Sequence, residues 1–150
     1  TFDKTRPGIG AQAVGVATGA LEAAVHYARE REQFDRKIAS FQAIQHMIAD
    51  MANQVEAARA LVYAVARYID SNPKDTSKVS AMSKVFPSDT AMKVVVDALQ
   101  IFGGSGYMRD YPVEKMMRDA KILQIYEGTN QIQRNVIGLE LIKEAASKKK

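Results

Sequence analysis

The hydrophobic residues between Phe41 and Ile69 recur in alternating steps of three and four. The positions that follow this spacing without a break are Phe41, Ile44, Ile48, Met51, Val55, Ala58, Val62, Val65 and Ile69. Such a heptad seam, about four repeats long, is typical of long helices packed nearly parallel or antiparallel in a bundle. The helix should end at Ser71-Asn72-Pro73, because proline disfavours helical geometry in the residue before it.

A second helix is predicted upstream, from about Arg6 to Glu30, and it is dense in small residues. These are Gly8, Gly10, Ala11, Ala13, Gly15, Ala17, Gly19, Ala20, Ala23 and Ala24. Each interior glycine costs a helix roughly 0.5–1 kcal/mol relative to alanine, so several glycines require a compensating gain. The close approach of another backbone, or of a flat ligand, would supply that gain.

A third helix should begin near Asp75 or Thr76, either of which can cap it, and run to about Phe102. Its expected core residues are Val79, Met82, Phe86, Val94, Val95, Leu99 and Phe102. Pro87 lies inside this span and should kink the helix or mark a local break.

Two further helical segments follow the glycine-rich stretch Gly103-Gly104-Ser105-Gly106, which stops the third helix. Tyr111-Pro112 should start a short helical segment that ends near Ala120. The last helix should run from about Asn130 to Ala146, with Ile132, Val136, Leu139 and Ile142 facing inward. No stretch is typical of a strand. The prediction is an all-α fold, an up-and-down four-helix bundle with a short additional helix.

Composition is consistent with this architecture. The 150 residues suit a single domain, and 47% hydrophobic with 25% charged residues is usual for a globular protein. There is no uncharged apolar run of 18 residues, so we expect no membrane span. The opening TFDKTRPGIG lacks the pattern of a secretory signal. Since the sequence begins at Thr1 rather than Met, we expect a fragment of a longer chain.

Charge and residue usage argue against two classes of site. The chain has no cysteine, and its two histidines, His26 and His46, have no partnering carboxylate pattern, so no metal site is predicted. The net charge of +4 comes mainly from the C-terminal lysines and scattered arginines. A nucleic-acid surface would need a basic stripe or an aromatic stacking platform, and neither is apparent.

Two stretches could bind a phosphate or a flat ring, and each also has a plain structural interpretation. The segment IFGGSGYMRD could cradle a phosphate, but phosphate loops of that kind open a helix whereas this segment closes one, so a helix C-cap is the simpler reading. The segment Arg31-Glu32-Gln33-Phe34 offers a planar cation, an amide and an aromatic ring. On its own, such a trio more often decorates a solvated turn.

Glu127 is a single acid placed between an apolar run and a new helix. A carboxylate near a helix N-terminus gains roughly 0.3–1 kcal/mol from the helix dipole, and Thr129 or Asn130 could simply cap that helix. Alternatively, Ile122, Leu123, Ile125 and Tyr126 could surround the acid with apolar matter, while Gly128 lets another molecule approach. In that second interpretation a desolvated carboxylate becomes a stronger base.

Taken together and in order, these stretches resemble the C-terminal helical domain of the flavin-dependent acyl-CoA dehydrogenases, from Phe2 to about Leu141. The matching pieces are FDKTRP, RERxQF as Arg29 to Phe34, FQAIQ, QIFGGSGY and YPVEKMMRDAKILQIYEGTNQIQR. The last piece is highly specific to the family. The resemblance implies that Glu127 is the catalytic base, which removes the proton α to a thioester while a hydride leaves the β carbon for FAD.

The same resemblance implies the remaining site residues. For FAD it implies contacts on the pyrophosphate and adenine side from Arg31, Gln33, Phe34 and Gln42, and further contacts after the base from Thr129 and Gln131. It also implies a segment that closes over the adenosine half, usually from a neighbouring subunit, formed by Gln100, Ile101, Phe102, Gly103 and Gly104. For the acyl-CoA substrate it implies contacts from Asp3, Arg6, Tyr126 and Gly128. Some relatives carry their base on the first helix of this region, where this chain has Thr5. No metal is implied.

The family also implies partners and setting. Members pass electrons to an electron-transfer flavoprotein and are mostly tetramers, so a homotetramer or homodimer is expected here, in bacterial cytoplasm or the mitochondrial matrix. Acyl-CoA oxidases share the domain, and a helical assembly module without activity is a further alternative.

Two positions depart from the family pattern: Asp35 stands where many relatives have glycine, and Phe41 stands where some have histidine. The N-terminal helical domain and the β-domain of the family are absent from these 150 residues, so this segment alone is expected to be inactive.

Overall fold

The computed structural model describes residues 2–147, and it confirms the all-α bundle. Its five helices are α1 (Phe2–Glu30), α2 (Gln42–Asp70), α3 (Ser77–Phe102), α4 (Val113–Leu123) and α5 (Asn130–Ser147). Short 3₁₀ turns precede α2, at Ile38–Ser40, and follow α3, at Gly103–Tyr107. The central element is α3, which packs against each of the other four helices.

The heptad seam of α2 is confirmed. Its middle residues Met51, Val55, Ala58, Val62 and Val65 are buried, and they pack towards α1 and α3. Apolar burial along one stripe is what holds this 29-residue helix to the bundle.

The small residues of α1 let the backbone of α3 approach closely, one of the two explanations that the sequence suggests. A Cβ on Gly10 would lie only 2.0 Å from the backbone oxygen of Ser83. Along the same face, Ala13, Ala17, Ala20, Ala24 and Ala28 are buried. By contrast, a Cβ on Gly8 or Gly15 would meet nothing within 4 Å. The close packing therefore depends on Gly10 rather than on every glycine.

The segment Asp3–Glu30 of α1 is long and apolar enough to cross a membrane, with a mean hydropathy of 1.2 over its most apolar window. A single helix of this kind is weak evidence for a span, because the core helix of a bundle has the same length and composition. The buried alanines of α1 and its packing on α3 account for its apolar character.

The sequence prediction for the interior of α3 is confirmed only in part. The helix runs through Pro87 without a break, and Pro87 itself is buried. Phe86, an expected core residue, is 43% exposed, whereas Val94, Val95 and Phe102 are buried as predicted. The buried face near Pro87 instead carries polar groups, namely Ser80, Ser83, Lys84, Ser88 and Thr90. That polar face determines how α5 docks.

The sequence predicts the wrong buried face for α5. Ile132, Leu139 and Ile142 are 52%, 57% and 68% exposed, and Val136 is only half-buried. The residues that α5 buries are Asn130 and Gln133. Hydrogen bonds to α3 and to the turn before α5 fix this rotation, because buried polar groups must find partners.

The structure also contains a short β-ribbon that the sequence does not predict. Glu32–Gln33 pairs antiparallel with Arg36–Lys37, and the two-residue turn between them places Phe34 at φ 53° and Asp35 at φ 60°. Two successive positive φ values characterise the turns that best match the twist of a hairpin. Phe-Asp is not the usual Asn-Gly sequence of such turns, which is why the sequence gives no signal here.

Candidate functional site

Glu127 lies in a tight turn between α4 and α5, where two consecutive residues adopt left-handed backbone geometry. The φ angle is 58° at Glu127 and 85° at Gly128. A Cβ on Gly128 would lie 2.4 Å from Nε2 of Gln133. The backbone conformation favours glycine at 128, and a Cβ there would displace the amide of Gln133. Glu127 has a conformation that costs a non-glycine residue free energy.

The carboxylate of Glu127 faces the first turns of α1. The hydroxyl of Thr5 donates a hydrogen bond of 2.8 Å to Oε2 of Glu127. One residue further, the guanidinium of Arg6 forms an ion pair with Asp3 at 2.7 Å, and its side chain is largely buried. The structure therefore brings Glu127 together with the N-terminal segment that contains the expected substrate contacts Asp3 and Arg6.

Apolar side chains enclose Glu127 less completely than the sequence suggests. Leu123 is buried, but Ile122 and Ile125 are 46% and 48% exposed, and Glu127 itself is half-buried. The interpretation that all four neighbouring apolar residues surround the carboxylate is therefore wrong for this chain taken alone. The reason is local: the end of α4 lies on the surface, so only every third or fourth side chain reaches the core.

Tyr126 is the apolar neighbour that makes a specific contact. Its hydroxyl donates a hydrogen bond of 2.5 Å to Oε1 of Gln12 on α1. Burial, and secondarily the charge of Glu127, raises the pKa of Tyr126 above its ordinary value of 10.0. The tyrosine is thus neutral at physiological pH and ties the turn to α1.

The sequence gives no hint of Lys84, which lies beneath the turn. Its side chain is fully buried, and Nζ donates hydrogen bonds to the backbone oxygen of Gly128 at 2.9 Å and to Oδ1 of Asn130 at 2.6 Å. Burial is the main cause that lowers its pKa from 10.5 to about 8, and the charge of Asp89 partly opposes this effect. The only sequence signal is a lysine within a buried stretch of α3.

A polar network extends from Lys84 along the start of α5. The amide nitrogen of Asn130 donates to Oγ of Ser88 at 2.9 Å and to Oδ1 of Asp89 at 2.8 Å. Asp89 also accepts a hydrogen bond of 2.7 Å from Gln124 and pairs with Arg134. Asn130 is therefore held on both sides, which fixes the start of α5 against α3.

One cleft gathers most of the expected cofactor residues. It measures about 390 Å³ and is lined by Tyr27, Arg31, Gln33, Ile38, Ile101, Phe102, Gly103, Gly104 and Ser105. It thus combines a guanidinium, an amide, aromatic rings and a glycine pair; Gly103 has φ 61°. A guanidinium suits a diphosphate, and aromatic rings suit a flat heterocycle. These residues fit the pyrophosphate and adenine side of a dinucleotide.

The other expected cofactor residues lie elsewhere on the surface. Phe34 is 85% exposed at the tip of the β-ribbon, and its ring meets Phe41 edge to face at 6.2 Å. Gln42 and Gln100 are exposed. Thr129 and Gln131 line a separate cleft of about 320 Å³, together with Lys121 and Arg134.

Thr129 also accepts a hydrogen bond of 3.3 Å from the backbone of Ile132, the capping role that is its simpler interpretation. Within residues 2–147, no group of three or more histidines and carboxylates is placed to hold a metal ion.

Comparison with known proteins gives a consistent result. Residues 1–142 match the family model described as acyl-CoA dehydrogenase, C-terminal domain. A probable acyl-CoA dehydrogenase of Mycobacterium tuberculosis is 57% identical over 95% of this chain and 37% of its own length. The cyclohexane-1-carbonyl-CoA dehydrogenase of Geobacter metallireducens is 52% identical over 97% of the chain and 38% of its own length. The chain therefore spans well under half of the relatives it matches.

Solved structures agree. Butyryl-CoA dehydrogenase from Megasphaera elsdenii is 48% identical, with a TM-score of 0.91 over 94% of this chain and 37% of that one. A chain in a structure of the electron transferring flavoprotein of Acidaminococcus fermentans is 56% identical, with a TM-score of 0.90 over 93% of this chain and 37% of that one.

Proposed function

Because the chain belongs to the acyl-CoA dehydrogenase family, as a C-terminal domain, we propose that the full-length protein is an FAD-dependent acyl-CoA dehydrogenase with Glu127 as its catalytic base. It converts acyl-CoA thioesters to trans-2-enoyl-CoA. The observation that carries the proposal is the turn at Glu127 and Gly128, which fixes a carboxylate in a strained conformation opposite α1. Strain of this kind persists where the surroundings enforce it, and it is commonest at functional sites.

Glu127 supplies the proton chemistry. Its carboxylate accepts the proton from the carbon α to the thioester, and the electron pair of that C–H bond becomes the new double bond as a hydride departs from the β carbon. FAD, when bound, supplies the acceptor for that hydride. An α proton of a thioester is only weakly acidic, so the base must act in a site that excludes water.

The chain contributes only part of that dry site. Glu127 is half-buried, and the exposed side chains of Ile122 and Ile125 on the same segment offer an apolar surface. We propose that the acyl chain and the remaining two-thirds of the protein cover this surface and complete the enclosure. The exposed backbone of Gly128 is proposed to lie against the thioester, and the N–H of Glu127 is proposed as a donor to the thioester oxygen.

The cleft next to the β-ribbon is the proposed site for the pyrophosphate and adenine portions of FAD. Arg31 would neutralise the diphosphate and Gln33 would donate an amide hydrogen bond. Gly103 and Gly104 are proposed to close over the adenosine half of the FAD of a neighbouring subunit. Phe34, with its ring exposed, is available to cover a flat heterocycle. Gln42, Gln100, Thr129 and Gln131 remain proposed contacts to other parts of FAD.

The proposed electron acceptor is an electron-transfer flavoprotein. Two similar proteins support this assignment: the Acidaminococcus structure already described, and the subunit CarC of the caffeyl-CoA reductase-Etf complex of Acetobacterium woodii, which is 48% identical. We further propose a homotetramer or homodimer, in which exposed apolar residues of α5 contribute to subunit contacts, and a location in bacterial cytoplasm or the mitochondrial matrix.

The test uses the full-length protein and anaerobic mixing with butyryl-CoA or cyclohexane-1-carbonyl-CoA. We expect bleaching of the flavin absorbance and formation of the enoyl-CoA. Glu127→Gln should retain bound FAD and substrate affinity but lose roughly 10³-fold in the rate of bleaching, in line with loss of an essential base. The matched control is Glu22→Gln, at an exposed glutamate of α1, which should behave as wild type.

Three results would contradict the proposal or redirect it. A near-normal rate of flavin bleaching in Glu127→Gln would show that Glu127 is not the catalytic base. Rapid hydrogen peroxide formation in air by the wild type would favour an acyl-CoA oxidase. No bound flavin and no reaction with any acyl-CoA would favour a helical assembly module.

A further inference from the structure

Lys84 is an unusual residue to find at the centre of a helical bundle. Its side chain is fully buried in α3, although lysine is almost never fully buried unless it is paired. An apolar side chain of similar length would fill the same volume without the cost of burying a charge. The lowered pKa of about 8 reflects that cost. The groups that accept hydrogen bonds from this ammonium therefore indicate its role.

Within residues 2–147, Nζ donates two hydrogen bonds, and both go to the segment that follows Glu127. They reach the backbone oxygen of Gly128, which is directly next to Glu127, and Oδ1 of Asn130, the first residue of α5. Gln133, also fully buried, adds a second anchor, because its Nε2 donates to the backbone oxygens of Glu127 at 3.1 Å and Gly128 at 3.2 Å. The carbonyl groups of the turn are thus bound from beneath by Lys84 and Gln133.

The turn needs such anchoring because of its conformation. Two successive left-handed residues, one of which is a glutamate, persist only when the surroundings determine them. If the Gly128 carbonyl lost its cationic donor, the turn could relax, and the direction of the Glu127 side chain would change with it. A misplacement of about 1 Å is enough to cost a large factor in rate.

We propose that Lys84 is the positioning residue of the site: its buried ammonium group anchors the Glu127–Gly128 turn and so fixes the direction in which the carboxylate is presented. This inference rests on the proposed role of Glu127 as base. Lys84 does not itself touch the reacting atoms; it acts through the backbone of the turn. Positioning of this kind affects the chemical step more than substrate affinity.

The first test compares Lys84→Met with wild type in the full-length protein, by anaerobic flavin bleaching with butyryl-CoA. Methionine keeps the apolar stem and removes Nζ. We expect the limiting rate to fall at least tenfold while the half-saturating concentration stays within about threefold and FAD content is unchanged. The matched control is Ser83→Ala, at the buried neighbour whose hydroxyl donates to the backbone oxygen of Ser80 within α3, and it should retain the wild-type rate. An unchanged limiting rate in Lys84→Met overturns the proposal.

The second test does not depend on activity. Hydrogen–deuterium exchange is followed without substrate in peptides that cover residues 123–134. We expect exchange at the turn to quicken at least tenfold in Lys84→Met, while peptides from α2 exchange as in wild type. Exchange at the turn that does not change overturns the anchoring, whatever the rates show. If the wild type fails to react with acyl-CoA but the turn loosens as expected, the proposed function falls and the anchoring stands.

A second variant covers the case in which Lys84→Met does not fold. Asn130→Ala removes one of the two groups that accept from Nζ and leaves the other, the Gly128 oxygen. We expect the same effects in reduced form, with exchange at the turn about threefold faster and a measurable loss in the limiting rate. Exchange and rate that both match wild type would overturn the proposal by this route as well.

Discussion

The hydroxyl of Thr5 donates a hydrogen bond of 2.8 Å to Oε2 of Glu127, across 122 positions of sequence. This contact joins the first helix of the bundle to the turn before the last one. It also shows that the side chain at position 5 lies within reach of the proposed base. The hydrogen bond from Thr5 therefore helps to orient the carboxylate before substrate binds.

The first prediction concerns this hydrogen bond. Thr5→Val removes the donor and keeps the shape of the side chain, so the carboxylate becomes less restrained. Because this hydrogen bond is exposed to solvent, it contributes about 1 kcal/mol rather than the larger amount typical of a charged acceptor. We therefore expect the limiting rate of flavin bleaching with butyryl-CoA to fall by no more than about tenfold. Thr5→Ser, which keeps the hydroxyl, should match wild type. A loss in Thr5→Val as large as that in Glu127→Gln would mean that Thr5 has a role beyond orientation.

The second prediction concerns the contact between α1 and α3. Gly10→Ala places a Cβ 2.0 Å from the backbone oxygen of Ser83, which neither helix can accommodate without moving apart. We expect a loss of roughly 1–3 kcal/mol or more in stability, measured as a lower apparent melting temperature of the full-length protein. The control is Gly15→Ala, in the same helix but in open space, which should raise stability by roughly 0.5–1 kcal/mol. Equal effects of the two substitutions would show that the helices do not meet at Gly10.

The third prediction concerns Asp35, where many members of the family have glycine. Its φ of 60° is a conformation that glycine adopts freely and aspartate tolerates, since short polar side chains are the least penalised there. Asp35→Gly should therefore leave the β-ribbon intact and remove a negative charge near the proposed diphosphate site. We expect FAD to bind more tightly, measured by fluorescence titration of the apoprotein. Asp35→Asn separates the two effects, because it removes the charge and keeps the side chain. Unchanged FAD affinity in both variants would place the diphosphate elsewhere.

The fourth prediction concerns pH and Lys84. The pKa of Lys84 is about 8 in the folded protein, against an ordinary value of 10.5. Below pH 8 the lysine is therefore charged in both the folded and the unfolded chain, and the cost of burying the charge is fully present. Between about pH 8 and 10.5 the unfolded chain binds more protons than the folded one, so this group makes the free energy of unfolding rise with pH. A shift of one pKa unit corresponds to about 1.4 kcal/mol.

The measurement is the urea midpoint of unfolding of the full-length protein from pH 7 to 10. The urea midpoint of wild type, relative to that of Lys84→Met, should increase as pH rises above 8. The difference between wild type and Ser83→Ala should not depend on pH, because that substitution removes no titrating group. A difference for Lys84→Met that is flat across this range would contradict the lowered pKa.

Several features of the protein follow from sequence alone. The spacing from Phe41 to Ile69 predicts α2 and its buried stripe, since the periodicity of a helix is local and apolar side chains avoid water wherever the chain goes. The glycines of α1 indicate a close approach, although not which of them makes it. The family motif locates Glu127, whereas the cleft that Arg31, Gln33 and Gly103 line together is visible only in the structure.

Only the tertiary structure decided the rest. It turned α5 so that Asn130 and Gln133 are buried while Ile132, Leu139 and Ile142 face outward, against the hydrophobic pattern. It placed Lys84 beneath the turn and Thr5 beside Glu127. The physical reason is common to all three. A hydrophobic period measures how each helix meets water, whereas a hydrogen bond between buried polar groups depends on the rotation and depth of two helices far apart in sequence, which no local pattern encodes.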